Sequence, residues 1–205
     1  MGGIGIADRR RAAALPDPID NGDRIMLPRY TVSVLVALVL AGCSSVPEEP
    51  LPTVDRVELS RFMGDWYVIA AIPTFFERQA YNAVETYRLM DNGAVHTTFS
   101  FRDGGFDGAL KRYHSTGYIR DSKTNAVWGV QFVWPFKADY RVMYLAPDYS
   151  VTVIGRLRRD YVWIMARSPS LADEEYERLV RLVAEAGYDT DTLRKVPQGW
   201  RQGSS

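Results

Sequence analysis

Between residues 66 and 167 the chain reads as eight strand-like segments in succession, with short turns and no helical period between them. The segments are 66–72, 80–89, 94–101, 109–119, 126–134, 138–145, 150–157 and 161–167. Turn signals punctuate them: Pro73, Asp91-Asn92-Gly93, Asp103-Gly104-Gly105, Asp121-Ser122, Pro135, Pro147-Asp148 and Arg159-Asp160. Consecutive strands joined by hairpin-length turns pair antiparallel. A run of eight can abolish its open edges by closing into an up-and-down barrel. A sandwich would need at least one long Greek-key connection, and the spacing offers none. The expected fold class is therefore all-β: an eight-stranded antiparallel up-and-down β-barrel, whose interior has room for one small ligand.

The period changes after the eighth segment. Residues 171–186 predict one helix packed on the barrel, with Tyr176, Leu179, Val180 and Val183 as its apolar stripe. Ser170 and Asp173 stand at capping-box spacing, and Gly187 is placed to stop the helix. A short extended piece near 193–196 follows.

Ahead of the barrel the chain has a different character. Residues 1–25 show no period and carry the one tight basic run, Arg9-Arg10-Arg11. From Met26, an alternative start, Arg29 precedes an apolar run over 30–40. That run is too short for the roughly 20 residues of a membrane span, but it suits the apolar core of a secretory signal. It ends in Leu40-Ala41-Gly42-Cys43, which holds the single cysteine of the chain, so no intrachain disulfide can form. This stretch resembles the lipobox of bacterial lipoproteins. The resemblance implies that Cys43 is diacylated and, after cleavage, becomes the new N-terminus. Ser44 after it implies sorting to the outer membrane, on its periplasmic side. Acyl chains anchor a protein without spanning the bilayer, each buried CH₂ contributing about 0.8 kcal/mol. The expected organisation is an extension and signal over 1–43, an extended tether over 44–56, the barrel with its helix over 57–200, and a tail over 201–205.

Lys plus Arg and Asp plus Glu number 25 each, so the balance argues against a nucleic-acid partner. The two histidines, His96 and His114, make no metal-ligand pattern, and no metal or cofactor is expected. Neither a Ser-His-Asp order nor a Gly-rich phosphate loop is present, so the reading is of a binding protein and not an enzyme.

Three short motifs carry a second resemblance. Gly64-Asp65-Trp66-Tyr67 opens the first strand, Asp148-Tyr149 lies between strands six and seven, and Arg167 ends strand eight. With these motifs, residues 57–200 resemble the lipocalins. Phe76-Glu77-Arg78, Pro135-Phe136 and Tyr161-Val162-Trp163-Ile164 resemble the bacterial outer-membrane lipoprotein branch. Pro147 stands where that family commonly has Thr. Counting hairpins puts all three motifs at one end of the barrel. The resemblance implies that Gly64, Trp66 and Arg167 close this end, with Arg167 stacked on Trp66.

Alternation assigns the walls. With Trp66 inward, Val68 and Ala70 follow. With Arg88 and Arg141 in water, Tyr87, Tyr140, Val142 and Tyr144 turn in. Strand three offers Val95, Thr97, Phe99 and Phe101, and strand eight offers Tyr161, Trp163 and Met165. For strand five the resemblance implies Trp128, Val130 and Phe132. Phe75, Phe76, Phe106, Trp134 and Phe136 fall in the loops at the opposite end, which is expected to be the open mouth. The implied ligand is a fatty acid or lysophospholipid with its head near the rim. The implied role is storage, transport or repair of envelope lipids, by a monomer or a homodimer. Two other readings stay open: an interaction or structural lipoprotein with its barrel packed shut, and a carrier of haem or another hydrophobic cofactor.

Overall fold

The computed structural model describes residues 50–200. Cys43, the leader before it and the tail 201–205 lie outside the described residues. The first described elements are α1 (Leu59–Phe62) and β1 (Gly64–Ile72). Then come β2 (Ala80–Leu89), β3 (Val95–Asp103), β4 (Ala109–Ile119), β5 (Val127–Val133), β6 (Phe136–Leu145), β7 (Val151–Gly155) and β8 (Val162–Ala166). Each strand pairs antiparallel with the next, and β1 pairs with both β2 and β8. The sheet thus closes into the expected eight-stranded barrel.

The closure is uneven. β1 pairs with β2 only through Gly64–Tyr67 before the two strands part. The end of the chain fills the gap, where β9 (Arg194–Lys195) pairs with Ala70 and Ala71. The Gln198 side-chain amide donates to the carbonyls of Val68 and Ala83, on opposite sides of the seam. Backbone groups left unpaired by the diverging strands thereby find partners.

Register shifts interrupt four of the strand pairings, and two of them reset the alternation of the expected wall residues. The register shifts between Val68 and Ala70 in β1, and between Val142 and Tyr144 in β6. Val68 and Ala71 join the interior cluster, whereas Ala70 packs in the outer layer under the helix. Val142 points in, but Met143 and Tyr144 lie outside, with the Arg178 guanidinium 4.7 Å above the Tyr144 ring. Ala70 and Tyr144, expected on the cavity wall, therefore face outward. An extra residue in one strand inverts every later assignment made by strict period two.

The helix α2 (Asp173–Glu185) lays Leu179 and Val183 on Ile69, Ala70, Met143, Val153 and Ile164. Gly187 follows it with φ +87°, a left-handed conformation that stops the helix at little steric cost. The expected capping box does not form. Ala172 is the N-cap and supplies no side-chain bond, so Asp173, Glu174 and Glu175 are left to complement the helix dipole.

The expected tether is not free along its whole length. Leu51 is 3% exposed and packs in the layer beneath α2, while the Val54 N–H donates to the Val142 carbonyl at 3.0 Å. Residues 51–57 form a strap along the barrel, because an apolar residue every third position (Leu51, Val54, Val57) has barrel surface to cover.

Candidate functional site

One end of the barrel is plugged. α1, which the sequence reading missed, brings Phe62 against Trp66, Tyr87 and Trp128, with ring centroids 5.1, 5.5 and 5.6 Å apart. The Trp66 indole N–H donates to the Phe62 carbonyl at 2.8 Å. The Arg167 guanidinium lies 3.8 Å from the centre of the Trp66 ring. It also donates to the carbonyls of Arg61, Phe62, Met63 and Asp65 at 2.7–3.1 Å. Arg167 therefore does two things: it stacks on the indole by cation–π attraction, and it caps the C-terminal carbonyls of α1. Gly64 has φ +94°, and a Cβ there would sit 3.4 Å from Arg167 Nη1. Tyr149 of the second motif holds the other flank of α1, its hydroxyl accepting from the Glu58 N–H and its ring lying under Arg61.

Above this plug lies a cavity of about 510 Å³. That falls within the roughly 300–1,000 Å³ typical of small-molecule sites. The reading of a barrel packed shut is thereby overturned. Tyr87, Phe99, Val130, Phe132, Tyr140, Tyr161, Trp163 and Met165 all line it, as the sequence led us to expect. Val68 lines a small adjoining pocket beside Phe99 and Glu77. Trp128 and Val142 point inward but belong to the packing beneath the cavity, where Trp128 stacks on Tyr140 at 5.1 Å. The mouth is ringed by exposed aromatics, with Trp134 83% and Phe136 76% exposed, and Phe75, Phe76 and Phe132 beside them. Hydrophobic surface of this kind marks a binding mouth or an interaction face.

The sequence reading missed the polar part of the lining, which comprises Glu77, Glu85, Thr97, Ser115 and Arg156 among others. Thr97 had been read as inward but not as part of a site. Glu85 stands two residues before Tyr87 on the same face of β2, so the alternation that turned Tyr87 inward already carried Glu85 with it. Tyr87 Oη and Tyr140 Oη are 2.7 Å apart. Burial pushes the Glu85 carboxyl up to about 7, opposed by the Tyr87 hydroxyl and reinforced by the charge of Glu77. Burial also raises both phenols well above their ordinary range. Glu77, on the turn Phe75–Glu77, accepts from the Trp163 indole N–H at 3.0 Å and from Thr74 Oγ1 at 2.9 Å. Burial raises its carboxyl too. Among the described residues no ion pair reaches either glutamate. Arg156, near the mouth, is held by Asp160 at 3.1 Å. The described residues hold no cluster able to bind a metal ion, and none of their helices is long and apolar enough to cross a membrane.

Residues 57–198 match the lipocalin-like domain family along their whole length. The chain is a lipocalin. It is 31% identical to temperature-induced lipocalin-1 of Arabidopsis thaliana, over 74% of this chain and 84% of that protein. It is 27% identical to outer membrane lipoprotein Blc of Escherichia coli strain K12, over 84% of this chain and 97% of that one. The solved structure of lobster apocrustacyanin A1 superposes with a TM-score of 0.54 at 16% identity, over 76% of this chain and 94% of its own, and shares the fold. Within the lipocalins the likeness is to the Blc type, and binding of a hydrophobic ligand inside the barrel is the function the family supports.

Proposed function

We propose that this lipocalin is a lipid-anchored envelope protein whose barrel holds the chain of a fatty acid or lysophospholipid, for storage, transport or repair of lipids at the outer membrane. The observation that carries the reading is the cavity: apolar walls from Phe99, Val130, Ile154, Trp163 and Met165, under a mouth rimmed by exposed aromatic rings. Such a lining rewards burial of an alkyl chain by about 0.8 kcal/mol per CH₂. The outer-membrane placement is supported by the lipobox at Cys43 and by relatives named as outer membrane lipoproteins.

Native mass spectrometry of protein purified from its source membrane tests the ligand, with a mass increment of one single-chain lipid as the expected result. Val142 lies in the packing below the cavity, so a charge there would disrupt the fold without testing binding. Val130→Asp puts an unpaired carboxylate on the cavity wall, where it should abolish lipid binding and leave thermal unfolding cooperative. A bare protein that also fails to bind added lipid would end the carrier reading.

A separate expectation concerns the anchor. Cys43→Ser removes the one cysteine and should move the protein from the membrane fraction to the soluble periplasmic fraction. Unchanged membrane association, together with wild type that takes up no labelled acyl chain, would dispose of the lipoprotein assignment.

A further inference from the structure

The bottom of an alkyl-binding cavity is where a chain's methyl end would come to rest, and an apolar floor would serve it best. Here the floor is polar. Glu85 pairs in register with Trp66 of the plug, so it sits low in the barrel and lines the cavity on the same strand face as Tyr87, whose hydroxyl meets that of Tyr140. Thr97 and Ser115, both buried, line the same space from β3 and β4. Glu77, reaching in from the β1–β2 turn on the mouth side, adds a second carboxyl to the cavity wall, fixed by Trp163 and Thr74. The ionisable groups around Glu85 are thus Tyr87 on its own strand, Tyr140 from β6 and Glu77 from the β1–β2 turn. The remaining charged or titratable lining groups are Asp139, Arg156, His114, Tyr113 and Tyr161. Arg156 is the one arginine or lysine among the lining residues, and it is already paired with Asp160.

We propose that the floor at Glu85 is a subsite for a hydrogen-bond donor, which narrows the carrier reading within single-chain lipids: chains ending in an ammonium or hydroxyl group are preferred, and fatty acids, which end in a carboxylate, become the weaker ligands. The preference follows from what the floor offers. The Glu85 carboxylate lines the cavity and only accepts, and among the described residues no cation pairs with it. A donor from the ligand satisfies one of its lone pairs, whereas a second carboxylate would meet like charge without a compensating cation. The ligand's polar end therefore enters first and its chain lies against Phe99, Val130 and Met165 toward the mouth.

This inference rests on the barrel being a carrier, and the test keeps the two separable. Tryptophan quenching of the full-length protein is titrated with dodecylammonium, dodecan-1-ol and dodecanoate, below their micelle concentrations and above neutral pH. In wild type the ammonium and the alcohol should each bind about tenfold or more tightly than the carboxylate. Glu85→Leu should erase that gap. In Glu85→Gln the like charge is gone and the amide N–H₂ can donate to a carboxylate, so dodecanoate should gain and the ammonium should lose its advantage over it. Carboxylate binding as tight as ammonium binding in wild type would overturn the subsite and leave the carrier standing. A preference that survives Glu85→Leu would overturn it as well. If none of the three chains binds, the carrier reading falls and takes the subsite with it.

Discussion

Trp66→Ala is expected to cost about 3–5 kcal/mol of folding stability, the range for truncating a large buried aromatic. Trp66 is fully buried, touches Phe62, and donates its indole N–H to the Phe62 carbonyl. Its loss opens a void between α1 and the barrel and leaves one side of Arg167 without a stacking partner. Arg167→Ala should cost less, about 2 kcal/mol, the scale of hydrogen bonds to a charged donor. Only part of its surface is buried, and water can replace some of the bonds it makes to the four carbonyls. The double variant should fall short of the summed losses by 0.5 kcal/mol or more, as expected for side chains in contact. Denaturant unfolding of the four proteins completes the cycle. Strictly additive losses would mean that the stack contributes nothing beyond the separate packing of each side chain.

The closed end was legible because its chemistry is concentrated in few residues. Gly64 and Trp66 stand two residues apart and Arg167 far along the chain; hairpin counting puts them at one end, and the lipocalin resemblance gives them its closure. The strand order was legible for the same kind of reason, since turn residues and alternation are local signals. Missed features needed information that alternation does not carry. Ala70 and Tyr144 were turned the wrong way by bulges, and a bulge depends on how two strands meet. α1 has four residues and no cap, so its helix depends on Arg167 and Tyr149 from across the barrel. Glu85 is a different case. Its position was within reach of the period-two argument, but a glutamate in a strand reads as a solvent residue. Only the cavity shows that Glu85 faces the barrel interior and not the outer surface.

That carboxyl should make the stability of the ligand-free protein fall as pH rises through the weakly acidic range. Glu85 ionises near 4.5 when unfolded and near 7 when folded, chiefly because burial disfavours its charged form. Below 4.5 it is protonated in both states and contributes nothing. Between 4.5 and about 7 the folded state keeps a proton that the unfolded state has released, so each rise in pH favours unfolding. Above about 7 the loss is complete, with an upper bound of about 3 kcal/mol. A ligand-free cavity of about 510 Å³ has room for water, so the loss should fall below that bound. Glu77, also raised by burial, contributes in the same direction and stays in place when Glu85 is changed. Asp148, lowered by its bonds from Ser150, acts with the opposite sign and only below its ordinary value of 3.8. Glu85→Gln should therefore flatten most of the slope between 4.5 and 7 and make the protein more stable than wild type above neutrality. The measurement is denaturant unfolding of both proteins, stripped of lipid, across that range. Parallel curves would show that Glu85 is solvated as freely in the barrel as in the unfolded chain, and the floor would then be open to bulk water.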